Sequence, residues 1–255
     1  MQLTGKTIFI TGATAGFGLE CARLFVAQGA KVIATGRRME RLEAIKSELG
    51  VSVHAIPLDV QDEKAVQNTF QSLPSAFSEV DILINNAGLA LGLSSFENIA
   101  KEDIKQMIDT NIMGVMHCTQ AVLPQMIARD SGHIVNLGSI AGTYPYPGGN
   151  VYGATKAFIE HFSLNLRADL LGKNIRVTNI EPGMCDTEFS IVRFAGDEQK
   201  AKQVYQGIKP LSASDIANTI LWTLSQPPHV NINRVEIMPV MQAFSPFAVH
   251  RKTNG

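Results

Sequence analysis

Residues 6–18 read KTIFITGATAGFG, and this stretch decides the fold of the chain. The β-branched apolar run at 6–10 predicts a buried strand, and Gly12, Gly16 and Gly18 follow it where a helical pattern begins. Glycines between a strand and a helix let backbone N–H groups approach a phosphate, and the helix dipole favours the negative charge. The spacing differs from the commoner G-x-G-x-x-G, and three close glycines also suit a plain turn. The rest of the chain decides between the two.

Short apolar runs alternate with helical patterns along most of the chain. The predicted strands are residues 6–10, 31–35, 53–58, 81–85, 133–138, 176–182 and 234–240. The predicted helices are residues 18–28, 40–49, 62–73, 101–129 with a break near Asn111, 151–171 and 214–225. Continuous apolar strands separated by amphipathic helices are typical of a parallel sheet that is buried on both faces. We therefore predict an α/β fold in a single domain, residues 1–255: a Rossmann-like, doubly wound parallel sheet of about seven strands with helices on both faces.

Composition limits the function classes. The 255 residues include 22 basic and 23 acidic side chains, so the net charge of −1 offers no electrostatic surface for nucleic acid or an anionic membrane. The first residues lack a signal-peptide pattern, and no apolar run approaches membrane-spanning length. Cys21, Cys118 and Cys185 are odd in number and widely spaced, which argues against a disulfide framework and a zinc site. We expect a cytoplasmic protein that acts on a small molecule, without a metal, nucleic acid or membrane as partner.

The end of the second predicted strand bears on the choice of cofactor. In many dinucleotide-binding folds an acidic residue at this place binds the adenosine ribose and selects NAD. Here Gly36 occupies the place, and Arg37 and Arg38 follow with no acidic competitor. Guanidinium groups bind phosphate through charge-assisted hydrogen bonds, so we predict NADP, held through its 2′-phosphate. The alternative is that both arginines lie on the surface at a helix start, with Glu40 as partner.

Four further residues are expected to contact the cofactor. Thr14 and Phe17 lie within the glycine-rich turn. Asp59 and Val60 end the third predicted strand, where the Asp59 side chain or the Val60 backbone N–H would meet the adenine. Asp59 equally suits the cap of the helix that follows it.

Six motifs in order along the chain carry a family resemblance. They are TGATAGFG at 11–18, NNAG at 85–88, Asn111, Ser139 in NLGSIAG, the pair Tyr152 and Lys156, and Pro182 with Gly183. Each is weak alone, but together the chain resembles the short-chain dehydrogenase/reductases over nearly its full length. The segments ATGRR, NNAGLALG, YPYPGGNVYGATKAF, IEPGMCDTEFSIVRFAGD and HVNIN more narrowly resemble the NADP-dependent 3-hydroxy acid dehydrogenases, of the serine, allo-threonine and malonic semialdehyde reductase type.

The resemblance implies a catalytic role for four residues. Tyr152 would be the acid or base at the substrate oxygen, and a free phenol with a pKa near 10 needs help at neutral pH. Lys156, one helical turn away, would favour the phenolate and also bind the nicotinamide ribose. Ser139 would hydrogen-bond the substrate oxygen, and the backbone of Asn111 would hold a water linked to the lysine. The residue types alone also allow Tyr152 as a packing anchor, Lys156 as a solvated residue, Ser139 as a turn cap and Asn111 as a helix kink.

The resemblance also implies cofactor contacts on the nicotinamide side. These would come from Asn86, Ala87 and Gly88, from Pro182 and Gly183, and from Thr187, which would meet the carboxamide or a cofactor phosphate.

The substrate is expected to lie under residues 184–212, where the strand and helix alternation lapses. We hypothesise that Arg193 binds the carboxylate of a 3-hydroxy acid; the alternative is a surface pair with Asp197 or Glu198. Glu181 would meet a substrate ammonium or pair locally. Tyr146 and Met184 are candidate pocket walls, although such residues are more often ordinary packing.

Three functions stay open at this point: a 3-hydroxy acid dehydrogenase with NADP, an NADP carbonyl reductase of another substrate class such as 3-oxoacyl thioesters, sugars or hydrophobic ketones, and a nucleotide-binding protein without activity. The third is disfavoured because all four catalytic positions are filled. The resemblance further implies a homo-oligomer, a tetramer, with an interface on the helices from Ile112 and Val151, the C-terminal strand and the tail 246–255.

Overall fold

The computed structural model describes residues 3–244 and 249. Seven parallel strands form one sheet in the order β3-β2-β1-β4-β5-β6-β7. The strands are β1 (Thr7–Ile10), β2 (Lys31–Gly36), β3 (Val53–Pro57), β4 (Ile82–Asn85), β5 (Gly132–Leu137), β6 (Ile175–Pro182) and β7 (Arg234–Ile237). The predicted α/β class, the parallel sheet and its seven strands are confirmed.

Helices cover both faces of this sheet. They are α1 (Gly16–Ala27), α2 (Met39–Leu49), α3 (Glu63–Gln71), α4 (Lys101–Ile108), α5 (Gly114–Arg129), α6 (Asn150–Asp169), α7 (Glu188–Arg193), α8 (Glu198–Gln203) and α9 (Ala213–Leu224). The break predicted near Asn111 is a π-helical turn, Asp109–Met113, between α4 and α5. The segment 184–212, predicted as a loop, contains α7 and α8.

Alternation along the strands divides the core in two. Ile8 and Ile10 belong to one apolar cluster, on the side of α1 and α9, whereas Phe9 belongs to a second cluster with residues of α5. Because successive side chains of a strand point to opposite faces, a strand buried on both faces is mostly apolar. This is why β1 reads TIFI with every residue buried.

The strand order reverses between β1 and β4, which are neighbours in the sheet although two strands separate them in the chain. From β1 the chain continues to β2 and β3 on one side, and from β4 it continues to β5, β6 and β7 on the other. In such doubly wound sheets a crevice opens at the carboxyl ends of the strands where the strand order reverses. The residues after β1 and β4 therefore lie at the natural ligand site of the fold.

Two further findings concern the described residues. No helix within them has the length and apolar character needed to cross a bilayer. Cys21, Cys118 and Cys185 are buried free thiols. The tail predicted as an interface, residues 246–255, lies outside the described residues except for Val249.

Candidate active site

A cavity of about 570 Å³ opens at the carboxyl ends of the strands. Its walls come from the residues after β1, β2, β4, β5 and β6 and from α7. Most of the sequence-predicted site residues line it: Gly12, Thr14, Gly16, Phe17, Arg37, Arg38, Asn86, Ala87, Gly88, Ser139, Tyr146, Tyr152, Lys156, Pro182, Gly183, Met184, Thr187 and Arg193. Among the described residues that line the cavity, five predicted site residues are missing: Gly18, Asp59, Val60, Asn111 and Glu181.

The turn between β1 and α1 forms the phosphate end of the cavity. Gly12 has a φ of +64°, a backbone conformation that favours glycine. Gly18 is needed for close packing, because a Cβ there would lie 2.5 Å from the Gly12 carbonyl oxygen and 2.6 Å from Asn86 Nδ2. Asn86 Nδ2 in turn donates to the carbonyl oxygens of Thr11 at 2.8 Å and Gly12 at 3.0 Å, which joins the ends of β1 and β4.

The N-terminus of α1 suits a bound pyrophosphate. Ala15 precedes the helix and provides no side-chain cap, and the first turn contains no acidic residue. The first N–H groups of α1 therefore lack a side-chain acceptor, and the positive end of its dipole is not opposed. Thr187 closes the turn from the other side, since a Cβ on Gly16 would lie 3.6 Å from Thr187 Cβ. These residues fit the diphosphate of a dinucleotide.

The two arginines after β2 differ in their surroundings. Arg37 is exposed on the cavity wall and has no ion pair or hydrogen bond among the described residues. Arg38 donates from Nη2 to Thr14 Oγ1 at 3.0 Å and from Nη1 to Glu188 Oε2 at 3.1 Å. Arg41, which the sequence analysis missed, donates to Glu188 Oε1 at 2.7 Å.

The expectation that no acidic residue competes for Arg37 and Arg38 was wrong for Arg38. Glu188 reaches Arg38 from α7, 150 residues further along the chain, but it does not pair with Arg37 in the described residues. The proposed partner Glu40 makes no ion pair with them within the described part of the chain. Arg41 could have been found, since it lies three positions after Arg38 at the start of α2 and so on the same face. No local pattern predicts Glu188.

The structure does not bring Asp59 and Val60 to the described wall of the cavity. Asp59 Oδ1 accepts a hydrogen bond from Gln61 N at 3.1 Å, in a turn. The cap of α3 is Asp62, whose side chain accepts from Ala65 N, so the suggested capping role of Asp59 was wrong. Val60 is buried, with only 6 % of its surface exposed.

Tyr152 lies in the first turn of α6, with its ring 5.5 Å from that of Phe189. Burial raises the pKa of Tyr152 to about 12, although the charge of Arg193 and a hydrogen bond with Ser139 act in the lowering direction. Burial favours the neutral phenol because an anion loses its hydration in an apolar site. The nearby positive charge of Arg193 favours the ionised form of the phenol.

Lys156 is buried beside Tyr152, with Nζ 5.8 Å from the ring centroid. Its ammonium donates to the carbonyl oxygen of Leu137, at the end of β5, at 2.7 Å. Burial lowers the pKa of Lys156 to about 8. Below this pKa the ammonium is charged and lies beside the Tyr152 ring, so the expected help from Lys156 in forming the phenolate stays a prediction.

Ser139 follows β5 and faces the cavity. Its Oγ also accepts from Ala141 N at 3.1 Å and caps a short 3₁₀ turn, Ile140–Gly142. The cap and the cavity position are therefore compatible, because a hydroxyl has a donor as well as acceptor sites.

Asn111 is fully buried behind the cavity, in the π-helical turn. Its Nδ2 donates to Leu89 O at 2.8 Å and Thr155 Oγ1 at 3.0 Å, and its Oδ1 accepts from Leu89 N at 2.9 Å. A Cβ on Gly88 would lie 3.3 Å from Asn111 Oδ1 and 3.5 Å from Lys156 Nζ. Asn111 thus ties the loop after β4 to α6 close to Lys156.

The substrate end of the cavity contains three aromatic rings around one cation. The Arg193 guanidinium lies 5.1 Å from the Tyr152 ring centroid, 5.2 Å from that of Phe189 and 5.9 Å from that of Tyr146. Its Nη2 donates to Tyr146 Oη at 2.9 Å. Its buried Nε has no hydrogen-bond partner within the described residues. Asp197 pairs with Lys200 and Glu198 with Lys202, so the suggested pairing of Arg193 with either carboxylate was wrong.

Glu181 does not reach the cavity, so its suggested contact with a substrate ammonium was wrong. Its carboxylate forms an ion pair with Arg234 at 2.7 Å and accepts from Asn179 Nδ2 at 2.6 Å. Burial, together with the nearby Glu160, raises the pKa of Glu181 to about 7. The alternative, that Glu181 pairs locally, is confirmed. Successive residues of β6 point to opposite faces, so Glu181 points away from the cavity that Pro182 lines.

The chain was compared with known proteins. Residues 6–198 match the family model described as short chain dehydrogenase. Serine 3-dehydrogenase of Agrobacterium fabrum is 53% identical over 247 residues, 97% of this chain and 99% of the relative. NADP-dependent 3-hydroxy acid dehydrogenase YdfG of Escherichia coli K12 is 52% identical over 246 residues, 96% of this chain and 99% of the relative.

A solved structure is also similar to this chain. The closed form of serine dehydrogenase complexed with NADP+ superimposes with a TM-score of 0.93 at 51% identity, over 96% of this chain and 100% of that one.

Proposed function

The chain belongs to the short chain dehydrogenase family, and on that premise we propose that it oxidises 3-hydroxy acids of the serine, allo-threonine and 3-hydroxypropionate class with NADP, and reduces their 3-oxo or semialdehyde forms. It is an oxidoreductase acting on a CH–OH group. Relatives named serine 3-dehydrogenase and NADP-dependent 3-hydroxy acid dehydrogenase align over nearly the whole chain, and the turn before α1 together with Arg37 and Arg38 fits a phosphorylated dinucleotide.

The substrate class is inferred from the position of Arg193, whose positive charge lies beside the catalytic Tyr152. Arg193 is the last residue of α7, and its guanidinium lies among rings with a buried Nε left without a partner in the described chain. An unpaired buried donor on a charged group is costly, and a carboxylate satisfies it with two parallel hydrogen bonds. A neutral ketone or alcohol would leave this donor unsatisfied.

The residues divide the reaction between them. NADP, when bound, supplies the hydride acceptor at the substrate carbon. Tyr152 exchanges a proton with the substrate oxygen, Ser139 donates a hydrogen bond to that oxygen, and Arg193 holds the carboxylate. With a pKa of about 12 the phenol of Tyr152 holds its proton at neutral pH, which suits donation to a carbonyl oxygen. Oxidation needs the phenolate, and positive charge near the ring lowers the cost of forming it.

The test is the initial rate of nicotinamide reduction with NADP or NAD. The substrates are L-serine, L-allo-threonine, 3-hydroxypropionate and 2-propanol. We expect turnover of the three acids with NADP and little with NAD. Turnover of 2-propanol but not of the acids would instead favour a carbonyl reductase of another substrate class.

Three further proposals concern the domain organisation, the location and the assembly of the protein. We propose a single domain, because one sheet runs through the described chain, and a cytoplasmic location, because the three cysteines are free thiols. We also propose a homotetramer. Met116 on α5 and Phe158 and Leu164 on α6 are large apolar side chains exposed on the predicted interface helices. Light scattering coupled to size-exclusion chromatography measures the assembly directly, and a monomer would contradict it.

A further inference from the structure

Glu188 links two parts of the site that the proposed mechanism treats separately. It is the first residue of α7, and its carboxylate accepts from Arg41 at 2.7 Å and from Arg38 at 3.1 Å. Arg38 and Arg41 belong to the start of α2, on the nucleotide side of the cavity. At the other end of the same short helix, Arg193 reaches Tyr146 at the substrate side.

The position of α7 depends on these end contacts. The helix has six residues and forms a wall between two cavities, each of about 570 Å³. At its C-terminal end, the carbonyl oxygen of Arg193 accepts from Gly92 N at 2.9 Å. In its middle, Ser190 Oγ meets Tyr205 Oη, which belongs to the same irregular segment. An element with open space on both sides is held weakly by packing, so tethers to the sheet side of the molecule set its position.

The tether at Glu188 competes with the nucleotide. Arg38 already donates from Nη1 to Glu188 and from Nε and Nη2 to Thr14, so only two of its five N–H groups remain for a phosphate. A phosphate and a carboxylate on the same guanidinium groups also repel each other. Binding of the 2′-phosphate to Arg38 therefore weakens the Arg38 contact, whereas the two hydrogen bonds from Arg41 to Glu188 still hold α7. The Glu188 carboxylate in turn lowers the affinity for the phosphate.

We propose that Glu188 is a positioning residue that holds α7, and through it Arg193, over Tyr152 while it lowers the affinity of Arg38 and Arg41 for the 2′-phosphate. The proposal rests on the proposed function in assigning Arg193 to the substrate. If Glu188 has this role, removing its charge should tighten the binding of NADP+ and weaken the binding of L-serine. Loss of a merely structural contact would weaken both.

The test compares the wild type with Glu188→Gln, which keeps the shape and removes the charge. Calorimetric titration of the free protein should show NADP+ binding about twofold to fivefold tighter in the variant, the size expected for partly exposed ion pairs, with NAD+ binding unchanged. At saturating NADP+, the KM for L-serine should rise by a larger factor than kcat falls. Glu188→Asp, which retains the charge, should lie closer to the wild type in both respects.

Glu102→Gln is the matched control, because Glu102 is also an acidic residue in the first turn of a helix, α4, but lies away from the arginines. It should change neither NADP+ affinity nor the KM for L-serine. Unchanged or weaker NADP+ binding in Glu188→Gln, or an equal change for NAD+, would overturn the competition. An unchanged KM for L-serine would overturn the tether.

Limited proteolysis needs no substrate, so it tests the role of Glu188 independently of the proposed activity. Trypsin should cleave after Lys200 and Lys202 of α8 faster in Glu188→Gln than in the wild type or Glu102→Gln, because α7 and α8 pack together. Equal cleavage rates would contradict the tether. If the wild type turns over no 3-hydroxy acid, the proposed function fails, while the NADP+ titrations and the cleavage rates still decide the role of Glu188.

Discussion

The guanidinium of Arg193 lies 5.1 Å from the centre of the Tyr152 ring, closer than the ammonium of Lys156 at 5.8 Å. One side chain from α7 therefore stands where it can bind a substrate carboxylate and also act on the phenol that exchanges the proton. The positive charge of Arg193 acts to lower the pKa of Tyr152, against the larger raising effect of burial. Both roles lead to measurable predictions.

Replacing Arg193 with Ala should weaken binding of acids specifically. We expect the KM for L-serine and 3-hydroxypropionate to rise about tenfold to a hundredfold, the value of a hydrogen-bonded charge pair. The KM for 2-propanol should change little, because a neutral alcohol does not use the guanidinium. Steady-state kinetics with both substrate classes measure the difference, and Arg23→Ala, on α1 and outside the described cavity wall, is the control. Equal changes for acids and alcohol would refute the carboxylate contact.

The same residue should set the pH dependence of oxidation. Oxidation needs the phenolate of Tyr152, so kcat/KM rises with pH as the phenol ionises. Because Arg193 lowers the pKa of Tyr152, its removal should move this rise to higher pH. The profile is measured with 2-propanol, which avoids the loss of carboxylate binding. Arg193→Lys keeps a positive charge and should stay near the wild-type profile; a profile unmoved in Arg193→Ala would show that the charge does not reach the phenol.

Tyr152→Phe should separate chemistry from binding. Loss of the phenolic proton should lower kcat by about a hundredfold or more, the usual contribution of a general acid or base. The NADP+ affinity should stay near that of the wild type, since the ring remains in place. Tyr144→Phe is the control, because Tyr144 donates to Glu236 outside the cavity wall. Turnover retained in Tyr152→Phe would exclude the assigned role.

Arg37→Ala should discriminate between the two cofactors. Arg37 has no partner in the described residues, so its removal breaks no internal contact. We expect the dissociation constant of NADP+ to rise about tenfold and that of NAD+ to stay the same, because NAD+ lacks the 2′-phosphate. Calorimetric titration of both nucleotides, with Arg23→Ala alongside, is the measurement. A parallel loss for NAD+ would mean that Arg37 acts on another part of the cofactor.

Lys156 should impose a stability cost at neutral pH. Its pKa falls from 10.5 to about 8 on folding, so between these values the unfolded chain binds more protons and stability rises with pH. The wild type should therefore gain up to about 3 kcal/mol of unfolding free energy relative to Lys156→Met across this window. Urea unfolding of both proteins at several pH values measures the difference. Lys64→Met, at an exposed position on α3, should show no such gain, and a constant difference for Lys156→Met would contradict the buried charge.

The alternation of apolar runs and amphipathic helices was enough to predict the seven strands and the helices that flank them. In β1 the four residues TIFI are buried on both faces, and such a run has few other stable environments. The glycine-rich turn could also be predicted from the sequence, because Gly12 adopts a positive φ and Gly18 lies against the Gly12 carbonyl oxygen six residues before it. The break at Asn111 was visible as an interruption in a long helical pattern.

Contacts between segments that are distant in the chain could not be predicted from the sequence. Glu181 and Arg193 both lie near the predicted substrate segment in sequence, but the alternation of β6 turns Glu181 toward Arg234, while the end of α7 brings Arg193 to Tyr152. Asp59 was offered as the cap of the third helix, but α3 begins at Glu63, so Asp62 directly before it is the cap.

The sequence by itself determined the sheet, the phosphate turn and the residues available for chemistry, since these follow from periodicities and motifs within a few tens of residues. Only the tertiary structure decided how charge is distributed in the site. It placed Glu188 against Arg38 and Arg41, and it placed Arg193 beside Tyr152, where the charge of Arg193 opposes the effect of burial on the phenol. The physical reason is that desolvation and Coulomb interaction depend on distance in space, which the position of α7 sets and the spacing of residues along the chain does not.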